Sequence, residues 1–246
     1  MRSLYQGVVT ENYDKENKGR LKVKIPLMDD GSDIIVPVNL MGGYVTKNGG
    51  FFFIPEKGDI VIVGFLGENF ERGVILGSLF EKGSGFLDEQ LCEKNDNKVI
   101  ASRSGAQIKF CDDEGKEKIT VKTPKGQFII FDDENELITL KSKDGTEVKV
   151  NGKEGAITLT AKEKLTISCG KAELNFSKNG DIKTTGANVT FDGKTIGIKS
   201  SGKAEFSGQS LELKGSTGAK FSSGAKLEVT ASAIAEIKGA LVKING

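Results

Sequence analysis

The sequence has no histidine and no tryptophan, and only four prolines and three cysteines in 246 residues. The missing histidine excludes Ser-His-Asp and Cys-His catalysis, HExxH zinc sites and any imidazole proton shuttle. Cys92, Cys111 and Cys169 are far apart, odd in number and without a CxxC pair, so they read as reduced, small apolar residues. An excess of one charge is lacking too. Lys and Arg number 35 against 34 Asp and Glu, a formal net charge of +1, which gives no global electrostatic case for nucleic acid. The longest apolar run, Ile60 to Gly67, falls far short of the ~18 residues that a membrane-spanning helix needs. Tyr5, Gln6, Glu11 and Asp14 interrupt the stretch where a signal peptide would carry its apolar core. Assembly in the cytoplasm without a cleavable signal is therefore expected.

What is present is glycine, 32 residues of it, with 37% hydrophobic residues, enough to bury a core in one large or two small domains. Residues 1–80 contain short apolar runs bounded by turn signals. Leu21, Val23 and Ile25 alternate with Arg20, Lys22 and Lys24, the period-2 pattern of a half-buried strand. Leu4 to Thr10, Ile34 to Leu40, Phe51 to Ile54, Ile60 to Leu66 and Val74 to Leu79 are further strand candidates, separated by Gly-Gly pairs and by Pro55-Glu56-Lys57-Gly58-Asp59. Five or six short strands without a helical pattern suggest a small closed barrel of OB type. Residues 81–98 are polar and turn-rich and read as a linker, with one helical turn at Leu87 to Cys92.

Residues 99–246 are repetitive. Ile119-Thr120-Val121-Lys122, Ile138-Thr139-Leu140-Lys141 and Ile157-Thr158-Leu159-Thr160 recur at an interval of 19. Past residue 180 the interval shortens to seven or eight, in units of the form apolar-x-Gly: Phe191-Asp192-Gly193, Phe206-Ser207-Gly208, Leu213-Lys214-Gly215, Ile237-Lys238-Gly239 and Ile244-Asn245-Gly246. A strand of about six residues with a Gly turn of about two makes one face of a β-prism. Such a unit cannot fill a core alone. Three chains, each giving one face per layer, would close a triangular tube, and a homotrimer is expected. The expected shaft core is Ile119, Val121, Ile138, Leu140, Ile157, Leu159, Leu211, Leu213, Val229 and Ile237. The competing pattern is a run of antiparallel hairpins, which accounts for the 19-residue period but poorly for the Ser-, Thr-, Ala- and Gly-rich tail.

Several of these residues together resemble a known family. Gly7-Val8-Val9 with Asp14, Gly19-Arg20-Leu21-Lys22-Val23-Lys24-Ile25-Pro26, Pro55-Glu56-Lys57-Gly58-Asp59-Ile60-Val61-Ile62-Val63-Gly64-Phe65 and Gly73-Val74-Ile75-Leu76-Gly77-Ser78-Leu79 resemble the OB-fold domain of phage baseplate assembly proteins and of valine-glycine repeat (VgrG) spikes. Lys98-Val99-Ile100 through Arg103-Ser104-Gly105 looks like that family's entry into its β-helix. The resemblance implies an all-β chain: an OB barrel (1–80), a linker (81–98) and an intertwined trimeric triangular β-helix shaft ending in a tip (99–246). It implies a membrane-piercing central spike of a contractile injection machine, a phage tail, phage-tail-like bacteriocin or type VI-like device, acting outside the producing cell or in a virion. No hub domain precedes Met1, so a separate baseplate hub is implied, and the target-cell envelope would be the final contact. Some short phage spikes hold iron at the tip through HxH. This chain has no His, so its tip is either bare or covered by a PAAR-type protein seated on Leu241, Val242, Ile244 and Gly246.

No catalytic residue, cofactor or metal ligand emerges. Asp112-Asp113-Glu114 and Asp132-Asp133-Glu134 could be paired carboxylates for glycoside cleavage, but they read more simply as solvated turns repeating with the repeat. They also lack the spacing of an EF-hand loop. Ions inside the shaft remain open. Gly83-Ser84-Gly85 lacks the Lys and the following helix of a phosphate loop. Phe51, Phe52 and Phe53 could stack bases beside the basic Arg20, Lys22 and Lys24, yet barrel core is the simpler reading of their spacing, and no nucleic acid is expected. The alternative to a spike is an OB module on a fibrous stalk that binds a surface glycan or receptor. Residues 200–246 hold no Trp or Tyr to stack on sugars, which favours the non-enzymatic spike.

Overall fold

The computed structural model describes residues 4–26, 32–67 and 72–244. It divides into two units, Met1–Ala187 and Asn188–Gly246. The first begins with β1 (Leu4–Glu11), β2 (Arg20–Pro26), β3 (Asp33–Leu40), β4 (Ile60–Phe65) and β5 (Gly73–Ser78), closed in the order β1-β2-β3-β5-β4. All pairings are antiparallel except β3 with β5. This all-β, five-stranded closed barrel is consistent with an OB fold.

Alternation builds its core. Leu21, Val23 and Ile25 of β2 point inward with Val9, Val36, Val38, Val61, Val63 and Ile75, and together they form the buried cluster. Tyr5 packs edge-to-face on Phe65, ring centroids 5.7 Å apart. The β1–β2 loop is held by Asp14, whose carboxylate accepts from the backbone N–H of Asn17 and Glu16, both at 2.9 Å. Those bonds, the Asn17 backbone first, hold the Asp14 carboxyl below its ordinary range.

The expected strand at Phe51 to Ile54 does not form, and its phenylalanines are not barrel core. Phe51, Phe52 and Phe53 are 61–84% exposed. The reason is topological. Closure pairs both edges of every barrel strand, so a sixth run has no edge to join. Instead residues 44–51 make a small hairpin through the Val45–Gly50 bridge and the Phe51 N–H to Tyr44 carbonyl bond at 3.0 Å. Tyr44 and Phe51 meet edge-to-face on it. Nor are the barrel's lysines an unopposed basic face, because Lys22 pairs with Glu11 at 3.0 Å and Lys24 with Asp33 at 3.1 Å.

After the barrel, α1 (Gly85–Gln90) is a single short helix capped by Ser84, two residues earlier than the expected turn. Gly83-Ser84-Gly85 therefore does lead into a helix, contrary to expectation, because the Ser84 hydroxyl accepts from the Leu87 N–H; the lysine of a phosphate loop is still missing. Next come β6 (Asn97–Ala101), β7 (Gln107–Cys111), β8 (Lys118–Lys122), β9 (Phe128–Asp132), β10 (Leu137–Lys141), β11 (Glu147–Asn151) and β12 (Ala156–Thr160). They pair in strict sequence order as a seven-stranded antiparallel meander. A three-stranded sheet follows: β13 (Lys164–Cys169), β14 (Ala172–Ser177) and β15 (Ile182–Thr185). Over residues 97–185, then, the chain adopts the hairpins that the 19-residue period allows.

The second unit differs in kind. Among its described residues, 188–244, there is no strand and no backbone–backbone hydrogen bond within the chain. The backbone runs extended between bends at 194, 201–202, 208–209, 216–217, 224–225, 232–233, 240 and 244. From 194 to 240 the bends fall every seven or eight residues, the spacing of the apolar-x-Gly units. Strands expected here are missing because a ladder needs a neighbour, and consecutive segments of one chain do not supply it.

One position tests the barrel. A Cβ on Gly7 would lie 2.4 Å from Val23 Cγ1 and 2.9 Å from the Lys24 carbonyl oxygen, so β1 and β2 approach too closely for any side chain. Gly7→Ala should destabilise the barrel by about 1–3 kcal/mol through overpacking, read as a lowered unfolding midpoint in urea. Gly43→Ala, whose Cβ meets nothing within 4 Å, is the control and should change little.

Candidate assembly surfaces

The meander's register sorts its side chains by face. One cross-strand row reads Ile100, Ile108, Val121, Ile129, Leu140, Val148, Leu159, and its neighbour reads Lys98, Phe110, Ile119, Phe131, Ile138, Val150, Ile157. Apart from Lys98 every member is apolar. The opposite face carries rows such as Val99, Lys109, Thr120, Ile130, Thr139, Lys149, Thr158, which is mostly polar. This is the clean in/out alternation of a sheet with one face meant for cover. Yet the apolar face is bare. Ile119, Ile138, Leu140 and Leu159 are 39–50% exposed and Ile157 71%, with Val121 half-buried. Fully covering such a side chain is worth ~1.5–3 kcal/mol.

The expected core positions of the 19-residue period thus share one face, but they lie on alternate strands only, β8, β10 and β12. The intervening strands β7, β9 and β11 contribute Ile108, Phe110, Ile129, Phe131, Val148 and Val150 to the same two rows. Sequence reasoning missed them because the strand repeat was sought by identity of residues. The period-2 alternation within each strand was the signal that could have found them.

The tail repeats the motif without the sheet. Each extended segment has two slots at i and i+2, on one side of a strand-like backbone. They are Val189/Phe191, Ile196/Ile198, Ala204/Phe206, Leu211/Leu213, Ala219/Phe221, Leu227/Val229, Ala235/Ile237 and Val242/Ile244. Where the first slot shrinks to Ala204 or Ala219, the second grows to Phe206 or Phe221, a compensation of volume typical of layered packing. The expected core residues Leu211, Leu213, Val229 and Ile237 are 64–79% exposed. So are the expected tip residues Leu241, Val242 and Ile244, at 47–78%. Gly246 lies outside the described residues.

The whole chain exposes 20,831 Å², about twice the roughly 10,600 Å² that surface scaling gives a folded 26.3 kDa monomer. That excess is several times what a stable interface buries. Among the described residues no group of three or more Cys, Asp or Glu side chains could hold a metal ion, and no helix is long and apolar enough to cross a membrane. In the second acidic cluster Asp132, the last residue of β9, accepts from the Asn135 backbone at 3.0 Å and pairs with Lys118 directly across the ladder at 2.9 Å.

Residues 5–80 match the family model of the type VI secretion system/phage-baseplate injector OB domain. No curated protein matches the chain. The match covers the barrel, β1 to β5, and supports a structural role in a phage or type VI injection apparatus.

The Lys118–Asp132 pair has a signed pH dependence. The bond to Lys118, chiefly, holds the Asp132 carboxyl below its ordinary range, and the same bond raises Lys118. A depressed carboxyl stabilises above the unfolded carboxylate value of ~3.9 and loses that contribution as pH falls through the folded value. The raised ammonium acts in the opposite sense, and its contribution is lost only above the ordinary lysine range. Asp132→Asn should therefore weaken the sheet in urea unfolding at pH 7, and the gap from wild type should narrow as pH falls below the ordinary carboxylate range.

Proposed function

We propose that this protein is the homotrimeric, non-enzymatic central spike of a contractile injection machine, a phage tail, phage-tail-like bacteriocin or type VI-like device. The observation that carries the reading is the tail. Its extended segments turn every seven or eight residues, carry paired apolar slots and have no backbone partner in their own chain. Interwound copies answer all three features, because each segment gains a ladder neighbour on either side while the i/i+2 slots meet at the axis of a triangular tube. Behind the tail stands a barrel whose residues match an injector OB domain.

In this reading residues 1–80 are the barrel, 81–98 the linker and 99–246 the shaft. The barrel docks a separate baseplate hub, for which the exposed aromatic hairpin at Tyr44 and Phe51–Phe53 offers an apolar surface. A layer built on Leu241, Val242 and Ile244 seats a PAAR-type tip protein. The spike needs no cofactor. Contraction of the surrounding machine drives it into the target envelope. A closed prism leaves no lateral sheet edge, which suits a rod loaded in compression.

Light scattering of the purified protein tests the assembly. A mass near three times 26.3 kDa, persisting in SDS without boiling, is expected; a monomer that unfolds readily would retire the shaft. Leu213→Asp should abolish that resistance, because an unpaired charge at the axis costs several kcal/mol per chain. The adjacent Lys214→Glu should be tolerated, and equal effects of the two substitutions would refute the buried tube.

A further inference from the structure

The meander's two long edges differ in charge. Because the strands pair in sequence order, alternate turns share an edge. The turns after β7, β9 and β11 (112–117, 133–136 and 152–155) hold eight carboxylates against two lysines. The turns after β6, β8 and β10 (102–106, 123–127 and 142–146) hold Arg103, Lys125 and Lys143 against the single Asp144. Lys122 and Lys141 stand at the strand ends beside them. Asp144 is itself engaged by Ser142 and by the Thr146 backbone. Among the described residues Glu114, Glu134, Glu154, Lys125 and Lys143 have no ion-pair partner in their own chain. The molecule thus presents one apolar face bounded by an acidic edge and a basic edge. Arg103 pairs with Glu56, Asp112 with Lys98, and Asp113 with Lys94 and Lys116, so the three glutamates and two lysines just named are edge charges left without a counterpart.

In the trimeric reading above, the meander remains a sheet of one chain and forms one face of a three-sided prism, apolar rows inward, with interweaving confined to the tail. Resting on that reading, we propose that over residues 97–160 the acidic edge of one copy lies against the basic edge of the next. Rotation about a common axis makes a heterologous contact that closes, so every acidic edge finds a basic one. Dimensions select three copies. Five-residue strands give faces ~17 Å wide, and a triangle of that side has its centre about 5 Å from each face. That equals half the ~10 Å spacing of packed sheets, so apolar side chains fill the centre, whereas four faces would leave it hollow. Turn heights also interleave. With no axial shift, Lys125 falls one strand layer between Glu114 and Glu134, and Lys143 between Glu134 and Glu154.

Charge reversal tests the contact in the full chain. One variant carries Glu134→Lys with Glu154→Lys, a second carries Lys125→Glu with Lys143→Glu, and a third carries all four. Dissociation in urea, which does not screen charge, is followed by light scattering at low salt. Each single-edge reversal should shorten the assembly's lifetime about tenfold, and the fourfold variant should return to near the wild-type value. In 1 M salt the differences should collapse. A wild type of three chains whose fourfold variant is no better than the two reversals summed would overturn the edge-to-edge contact and leave the trimer standing. A wild-type mass other than three chains would overturn both.

Discussion

A β-strand makes two demands at once: its backbone N–H and C=O groups need a ladder, and its apolar side needs cover. The three parts of this chain meet those demands to different degrees, and the rest of the structure follows from that gradient. The barrel meets both, because closure pairs every edge and turns Val9, Leu21, Val23, Ile25 and their partners inward. The meander meets the first alone, with each interior strand bonded on both sides and two unbroken apolar rows left bare. The tail meets neither within one chain. Self-sufficiency thus falls from the N-terminal end to the C-terminal end of the described residues.

Turn chemistry keeps the exposed architecture in register. The meander's hairpins turn through glycines with positive φ, such as Gly105, Gly126 and Gly145, where an L side chain would be strained. Carboxylates and amides tie the opposite turns to their own backbone, as Asp132 does with Asn135 and Asn151 with Glu154. Charge lies on the turns and on the polar face, in pairs such as Lys118–Asp132 and Lys149–Glu147. A one-residue slip would move the apolar rows to that polar face, so the alternation itself fixes the register.

Much of this was legible in the residues. Leu21-Lys22-Val23-Lys24-Ile25 reads as a half-buried strand because alternation is local, and the barrel was accessible from such runs. Phe51-Phe52-Phe53 misleads for a reason that no local pattern contains: the barrel closes with five strands, and the aromatic run is left outside. The repeat of Ile119, Ile138 and Ile157 marks the right face, and the intervening Ile108, Phe131 and Val148 follow from the period-2 alternation of their own strands, while their places in the two rows come from the cross-strand register. The tail's period was plain in the sequence. Its conformation in isolation was not, since an apolar-x-Gly unit specifies where the chain bends and not which chain lies beside it.

The change of rhythm at residue 188 also separates two kinetic regimes. Hairpins up to Thr185 join strands adjacent in sequence, contacts that close on microsecond timescales and do not depend on concentration. The described segments after them have no backbone partner in their own chain, so under the proposed assembly their ordering waits on encounters between molecules and gains speed with protein concentration. Order would then spread along the chain from the barrel, and the tail would be the last part to acquire a structure. Dilution during synthesis would delay the tail without touching the barrel.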